Sequence, residues 1–254
     1  MNTRDFSADL KANLESIHAR INAACHRAGR NPSDIRLLPV TKTVDEARLR
    51  AAYALGIREM GENKVQEAQG KWEAMGDLED LRWVLIGHLQ TNKATHAARF
   101  ASEFQGLDSA RLAETLDRRL QHEGRAIDVL VQVNTSGENT KFGLPPEQVV
   151  DFVRTLPAYS SLRVRGLMTL ALFSKDESRV RPCFVRLREL RDRLRQEAPD
   201  GIVMDELSMG MSGDFEMAIE EGATTVRVGT AIFGARPTAD SDYWPGFAGK
   251  QDAP

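Results

Sequence analysis

Cysteine is scarce in this chain of 254 residues, which contains just Cys25 and Cys183, each on a segment with helical periodicity. Two such cysteines do not build a disulfide framework, which indicates a reducing compartment. Long apolar runs are also missing, and the opening residues MNTRDFSADL lack the apolar core of a signal peptide. We therefore expect a cytoplasmic protein that does not cross a membrane.

The chain also lacks a strong excess of charge of one sign. Its 34 lysines and arginines nearly balance 37 acidic residues, and a net charge of -3 gives no general attraction to nucleic acid or anionic membranes. Residues 178–197 are rich in arginine, but Phe184, Leu187, Leu190 and Leu194 form an apolar stripe typical of an amphipathic helix. We therefore expect no nucleic acid partner.

Metal-binding patterns are missing as well. The five histidines show no ligand spacing, and neither HExxH nor CxxC occurs. We expect no metal site.

What the sequence does contain is a repeated alternation of short apolar segments with amphipathic helical ones. An opening helix places Phe6, Leu10 and Leu14 on one face and is expected to end near Gly29. The helix after the first apolar segment is expected to begin at about Val44, with a capping box of Thr43 and Glu46. The eight strand candidates are IRLLPVT (35–41), GIREMGE (56–62), LRWVLIG (81–87), ASEFQGLD (101–108), IDVLVQVN (127–134), LRVRGLMTL (162–170), IVMDELSMG (202–210) and TTVRVGT (224–230).

Eight strand–helix units in a chain of this length predict an α/β fold, a single-domain (β/α)8 TIM barrel with an N-terminal helix. A doubly wound open sheet is the alternative, but no strand candidate is followed by GxGxxG. We expect the barrel domain to cover residues 1–236. Residues 237–254, rich in Gly, Pro and Asp, form a short C-terminal extension in this interpretation.

The loops after the last two strands are candidates for a phosphate site, which barrels frequently build there. The loop after the seventh strand supplies Ser208, Gly210, Ser212 and Gly213, and the loop after the eighth supplies Gly229 and Thr230. Small residues let backbone N–H groups approach an anion, and a helix amino terminus adds positive potential. Two ordinary tight turns are the competing interpretation, because Gly and Ser dominate turns in general.

Lys42 is the second candidate, because it ends the first strand and would point to the same mouth. A lysine condenses with an aldehyde or ketone to a Schiff base once a buried site favours its neutral form. Together with a phosphate anchor, it fits two ligand classes: sugar phosphates, as in Schiff-base aldolases, and pyridoxal 5′-phosphate (PLP). The structural alternative is a lysine whose amine reaches solvent.

Arg227 helps to choose between these ligands. It lies between Val226 and Val228 in the last strand, so its side chain faces the opposite way, into the barrel. A guanidinium donates hydrogen bonds and accepts none, and the pyridine nitrogen of PLP is a suitable acceptor. Such a pair leaves the nitrogen unprotonated and the ring a weak electron sink. The alternative is pairing with a core carboxylate, Asp205 or Glu206.

Six segments together resemble a known family. They are PVTKT, GENKVQEA, WVLIGHLQTNK, VQVNTSGENTKFGL, RGLMTL and LSMGMSGDFEMAIEEGATTVRVGTAIFG. They are similar to the YggS/PROSC family of PLP-binding proteins over residues 6 to 236. The resemblance implies the barrel of bacterial alanine racemases without their second, β-rich domain. It also implies a role in vitamin B6 homeostasis, with no established catalytic activity.

The resemblance also assigns roles to residues. Lys42 matches the lysine that forms the Schiff base, and Arg227 matches the arginine at the ring nitrogen. Asn63 lies beside the ring and Met168 packs near it. The expected site residues are Lys42, Asn63, Met168, Ser208, Gly210, Arg227, Gly229 and Thr230, of which Ser208, Gly229 and Thr230 match phosphate positions. One departure is Val44, where many members carry a second lysine.

Three functions compete at this stage. The first is a PLP carrier that binds without efficient turnover and whose partners include apo forms of PLP-dependent enzymes. The second is an amino acid racemase of the alanine racemase type, which needs acid–base groups on both faces of the cofactor. The third is a Schiff-base aldolase. The missing second domain favours a monomer, and the sequence assigns no role to His88, Lys93 or Lys141.

Overall fold

The computed structural model describes residues 6–138 and 141–234, and in them eight parallel strands form one sheet. The strands are β1 Arg36–Pro39, β2 Glu59–Glu62, β3 Arg82–Leu85, β4 Ala101–Leu107, β5 Ile127–Gln132, β6 Leu162–Met168, β7 Glu206–Ser208 and β8 Thr225–Val228. Their order is β1-β8-β7-β6-β5-β4-β3-β2. The two outermost strands in that order meet where Val40 bridges Gly61, which closes the barrel.

Helices connect successive strands and pack around the barrel. They are α1 Ser7–Arg27, α2 Glu46–Ala54, α3 Val65–Ala74, α4 Ala94–Phe100, α5 Ala110–His122, α6 Val149–Thr155, α7 Glu177–Glu197, α8 Phe215–Glu220 and α9 Thr230–Phe233. The predicted (β/α)8 barrel with an N-terminal helix is confirmed. None of the helices within the described ranges combines the length and apolar character that a membrane crossing requires. The predicted extension, residues 237–254, lies outside the described residues.

Local signals locate the helix ends with mixed success. The first helix ends as expected, with Gly29 at φ 63° just beyond it. The predicted capping box of Thr43 and Glu46 is wrong, because the N-cap of α2 is Asp45, whose carboxylate accepts the Arg48 N–H. Thr43 instead belongs to a separate turn and has φ 64°.

The arginine-rich segment behaves as the apolar stripe predicts. Phe184, Leu187 and Leu194 of α7 are fully buried against the barrel. Arg181 and Arg188 on the same helix form ion pairs with Glu221. These arginines therefore tie α7 to the neighbouring helix α8.

The barrel interior is built in layers along the strands. Leu38 of β1 and Val40, just after it, form a small apolar core with Val84 of β3 and Ile86, just after that strand. Side chains alternate between the two faces of a strand, so the interior face of β1 continues from Val40 to Lys42. The layer above this apolar core, at the carboxyl ends of the strands, is the mouth of the barrel.

Candidate binding site at the barrel mouth

Lys42 lies at the barrel mouth, shortly after β1 ends and just beyond the point where Val40 bridges Gly61 of β2. Its exposed fraction is 2%, although it is among the longest side chains in the protein. A lysine that merely reached solvent would leave its amine exposed. The burial therefore favours a lysine held for use inside the mouth.

A tight turn presents Lys42 to the mouth. The Val44 N–H donates to the Thr41 carbonyl over 3.0 Å, which makes Lys42 and Thr43 the two central residues. The Thr41 N–H donates to the Gly61 carbonyl of β2, so the turn is tied to the neighbouring strand. Sequence reasoning predicted helix start signals here and missed the turn.

Arg227 is buried in the barrel interior, as the alternation of β8 predicts. Its Nη2 donates to the Thr169 carbonyl over 2.7 Å, and its Nη1 donates to the Ser208 hydroxyl over 2.6 Å. The Ser208 hydroxyl in turn donates to Gln105 Oε1 over 2.6 Å. Burial lowers the pKa of Arg227 to about 10, opposed by the nearby Asp214, so the guanidinium stays protonated at neutral pH.

The alternative pairing of Arg227 with a core carboxylate is wrong. Asp205 pairs with Arg195 of α7 at 3.0 Å, on the outside of the barrel. Glu206 lies at the opposite end of the barrel, where its carboxylate is 3.9 Å from Arg36. The buried guanidinium therefore donates to a neutral hydroxyl and a backbone carbonyl, and no carboxylate of the described residues contacts it directly.

The two loops after β7 and β8 lie against each other. The Gly229 N–H donates to the Ser212 hydroxyl over 3.3 Å, which joins the start of α9 to the β7 loop. Thr230 opens α9 and is exposed. Ser212 belongs to the loop after β7 that the sequence singled out as a phosphate candidate, and the structure brings it against the loop after β8.

Gly210 shapes the first of these loops. Its φ is 93°, and an added Cβ would lie 2.7 Å from the Ala218 Cβ and 2.9 Å from the Phe215 Cα. A side chain would therefore be strained in its backbone conformation and would collide with α8. Because Gly210 permits this close approach, the loop backbone sits directly over the beginning of α8.

Asn63 adds buried polar groups next to Lys42. It follows β2 with an exposed fraction of 8%, and neither atom of its side-chain amide has a hydrogen-bond partner within the described ranges. A buried polar atom without a partner costs about 1–3 kcal/mol, so the amide of Asn63 is available to a ligand that enters the mouth. Gln132 Oε1 and the wholly buried Met168 lie at the ends of β5 and β6.

Other polar residues with no assigned role already contact protein groups. His88 stacks on Phe142, with ring centroids 3.9 Å apart and planes inclined by 6°. Lys93 donates to Gln66 Oε1 over 3.0 Å, and Lys141 donates to the Ala171 carbonyl over 2.8 Å. Each of these three side chains therefore has a contact with another protein group that explains its position.

The arrangement combines a buried amine and two glycine-containing loops with a buried guanidinium that contacts no carboxylate and amide atoms that have no partner, as far as the described residues go. These residues fit a ligand with a carbonyl carbon, a hydrogen-bond-accepting ring and an anionic group. The Asn63 amide is a second indication of a ligand site, separate from the burial of Lys42. Its atoms have no partner among the described residues, and it follows β2, the strand next to the one that leads into Lys42.

Comparisons with known proteins point the same way. The family described as "Alanine racemase, N-terminal domain" matches residues 12–237. A "Pyridoxal phosphate homeostasis protein" of Aquifex aeolicus is 43% identical over 88% of this chain and 96% of its own length. The structure of PipY of Synechococcus elongatus with PLP bound is 36% identical, with a TM-score of 0.76 over 86% of this chain and all of that one.

A more distant likeness concerns the fold alone. An alanine racemase of Clostridium difficile 630 is 15% identical, with a TM-score of 0.70. The match covers 92% of this chain but 59% of the racemase. The shared part is therefore a barrel, and the racemase has a further portion with no counterpart in the match.

Proposed function

This chain belongs to the pyridoxal phosphate homeostasis (YggS/PROSC) family, and we propose that it binds PLP at the barrel mouth as a Schiff base on Lys42. The observation that carries the proposal is the burial of Lys42 to 2% exposure beside the unpaired amide of Asn63. Buried polar groups without partners cost free energy that a ligand can recover. PLP offers an aldehyde for Lys42, a ring nitrogen for Arg227 and a phosphate for the loops after β7 and β8.

Lys42 provides the covalent anchor in this proposal. Its neutral amine nitrogen adds to the aldehyde carbon, and water leaves as the carbon–nitrogen double bond forms. When bound, PLP supplies an electron-withdrawing ring conjugated to that carbon. Asn63 and Met168 border the ring, with the Asn63 amide donating or accepting a hydrogen bond that no described protein group satisfies.

Arg227 faces the ring nitrogen in this proposal. Two of its N–H groups bind Thr169 and Ser208, which orients the guanidinium, and we assign a third to the nitrogen. A guanidinium does not hand over its proton at neutral pH, so the nitrogen stays unprotonated and the ring withdraws electrons weakly. This supports a protein that carries the cofactor over one that turns over amino acids rapidly.

The loops after β7 and β8 bind the phosphate in this proposal, through Gly210, Gly229 and Thr230. The Ser208 hydroxyl is already bonded to Arg227 and Gln105. We therefore assign the hydroxyl contact with phosphate to Ser212, which touches the second loop.

We further propose that the protein works in the cytoplasm as a monomer and delivers PLP to apo forms of PLP-dependent enzymes. Mixing the loaded protein with such an apo-enzyme tests the transfer. Delivery is supported if the apo-enzyme becomes active faster than PLP is released into solution from the loaded protein.

Incubation with D- and L-alanine in deuterated water tests the racemase alternative, which requires rapid Cα exchange with inversion.

The Lys42→Ala variant tests the covalent anchor. We expect it to lose the visible absorption of lysine-bound PLP completely while its thermal unfolding stays cooperative. Borohydride reduction and peptide mass analysis of the wild type should place the label on Lys42. The matched control is Lys93→Ala, which removes a lysine bonded to Gln66 and should keep full absorption. An unchanged band in Lys42→Ala would refute the assignment.

A further inference from the structure

The turn that carries Lys42 has an unusual backbone. Thr43, its third residue, has φ 64°, and it is the one non-glycine residue with positive φ among those the structure describes. Turns of this form place glycine or asparagine there, because a β-branched side chain is disfavoured in the left-handed region. The conformation next to Lys42 therefore persists because surrounding groups impose it.

Two side chains of α3 grip this turn from outside the barrel. Glu67 Oε1 accepts the Thr43 N–H over 2.6 Å. Lys71 Nζ donates to the Thr41 carbonyl over 2.7 Å. Glu67 and Lys71 lie one helical turn apart and bond to each other over 2.8 Å. The pair thus binds the turn on both sides of Lys42.

Glu62 anchors this pair to the barrel wall. Its Oε1 accepts from Lys71 Nζ over 2.7 Å and from the Thr41 hydroxyl over 2.6 Å. Glu62 is completely buried, and it directly precedes Asn63 of the mouth. Because side chains alternate along a strand, Thr41 and Glu62 face outward where Lys42 and Asn63 face the mouth. We call Glu62, Glu67 and Lys71 the outer clamp.

We propose that the outer clamp holds Thr43 in its left-handed conformation and thereby aims the Lys42 amine into the mouth. Its members are positioning residues, since they contact the backbone around Lys42 from behind the barrel wall. Without the clamp, Thr43 is expected to relax to negative φ, which turns the Lys42 backbone away. The titrations with PLP rest on the proposed function, whereas amide hydrogen exchange of Thr43 in the PLP-free protein does not.

The first experiment removes the grip on Thr43 with Glu67→Ala. Lysine-bound PLP is measured by borohydride reduction and mass analysis of the Lys42 peptide across a PLP titration. We expect the apparent affinity for PLP to fall about tenfold. This factor corresponds to the free energy that a non-glycine residue usually requires to adopt a positive φ. The matched control is Glu73→Ala on the same helix, whose carboxylate bonds to Gln69 and not to the turn. It should titrate like the wild type.

A rescue variant separates positioning from a general loss of stability. Glycine adopts positive φ without penalty, so Thr43→Gly added to Glu67→Ala should recover at least half of the lost affinity on a logarithmic scale. Urea unfolding of Glu67→Ala and of the double variant is measured alongside, because a loss of affinity caused only by lower stability would follow the fraction of folded protein. Failure of the double variant to recover, or an unchanged titration of Glu67→Ala, would overturn the proposal.

Amide hydrogen exchange of the PLP-free protein gives a test that does not depend on PLP. The Thr43 N–H should exchange at least tenfold faster in Glu67→Ala than in Glu73→Ala, because its acceptor is gone. Equal exchange contradicts the clamp. If the wild type takes up no PLP, the proposed function fails while this comparison still judges the clamp. If Glu67→Ala does not fold, Glu67→Gln replaces it, with about a threefold loss of affinity expected because only the charge is removed.

Discussion

The two ends of the barrel solve the problem of buried polar groups in opposite ways. At the amino ends of the strands, Arg36 Nε lies 2.6 Å from Glu59 and its Nη1 lies 2.7 Å from Glu103. At the mouth, the buried guanidinium of Arg227 meets no carboxylate, and the amide of Asn63 has no partner in the described part of the chain.

This difference separates structure from function along one set of strands. β1 itself carries Arg36 at one end and leads into Lys42 at the other. Charges that neutralise each other contribute to a stable closed end, even though Arg36 Nη2 has no hydrogen-bond partner among residues 6–138 and 141–234. Polar groups left without charge partners lower stability slightly but keep the mouth receptive to a ligand.

The largest expected effect comes from breaking the closed end with Arg36→Met. This change leaves the carboxylates of Glu59 and the nearly buried Glu103 without their cation. We expect the free energy of unfolding to fall by about 3 kcal/mol, as for other broken buried ion pairs. Urea unfolding measures the loss, while PLP uptake per folded molecule should not change.

The control for this experiment is Arg82→Met. Arg82 also pairs with Glu59, at 3.4 Å, but half of its side chain is exposed. An exposed pair contributes about 1 kcal/mol or less. If both variants lose the same stability, the closed end does not depend on the buried network around Arg36.

An intermediate effect concerns pH and Glu62 of the outer clamp. Burial raises the pKa of Glu62 to about 7, with Lys71 opposing the shift and Glu67 adding to it. Between its ordinary pKa and about 7 Glu62 binds more protons in the folded state than in the unfolded one, so its contribution to stability falls as pH rises through this window. Glu62→Gln should weaken that fall by on the order of 2 kcal/mol.

Urea unfolding of wild type and Glu62→Gln at a series of pH values from 5 to 8 measures this difference. Glu206 at the closed end also has its pKa raised to about 7 by burial and by Glu103, so part of the slope should remain. An identical pH dependence in the wild type and in Glu62→Gln would contradict the raised pKa of Glu62.

The smallest expected effect sharpens the contrast at the mouth. Asn63→Ala removes a buried amide that has no hydrogen-bond partner among the described residues, so we expect the free energy of unfolding of the PLP-free protein to rise by about 1 kcal/mol. PLP affinity should fall by about fivefold, the effect of one lost hydrogen bond. Calorimetry and PLP titration measure the two, with the exposed Asn92→Ala as control. A large loss of stability with normal affinity would make Asn63 structural.

Sequence reasoning reached the fold and several single residues of the site. Strand alternation correctly predicted that Arg227 faces the barrel interior. The glycines of the last loops predicted close backbone approach, which the structure shows at Gly210. The carboxylate partners that it offered as the alternative for Arg227 are wrong, and so is its prediction of Thr43 as a helix cap. The bond between Thr43 and Glu67 joins residues 24 apart in sequence, so no local pattern reveals it.

The sequence by itself determined which segments are strands and helices and which side of each strand faces the barrel. These properties depend on periodicities of two and 3.6 residues, which are legible in any short stretch. The tertiary structure decided which side chains meet: Ser208 with Arg227, Ser212 with Gly229, and Glu67 with the turn of Lys42. Those partnerships depend on strand order, register and barrel closure, and such distances arise only when the whole chain packs.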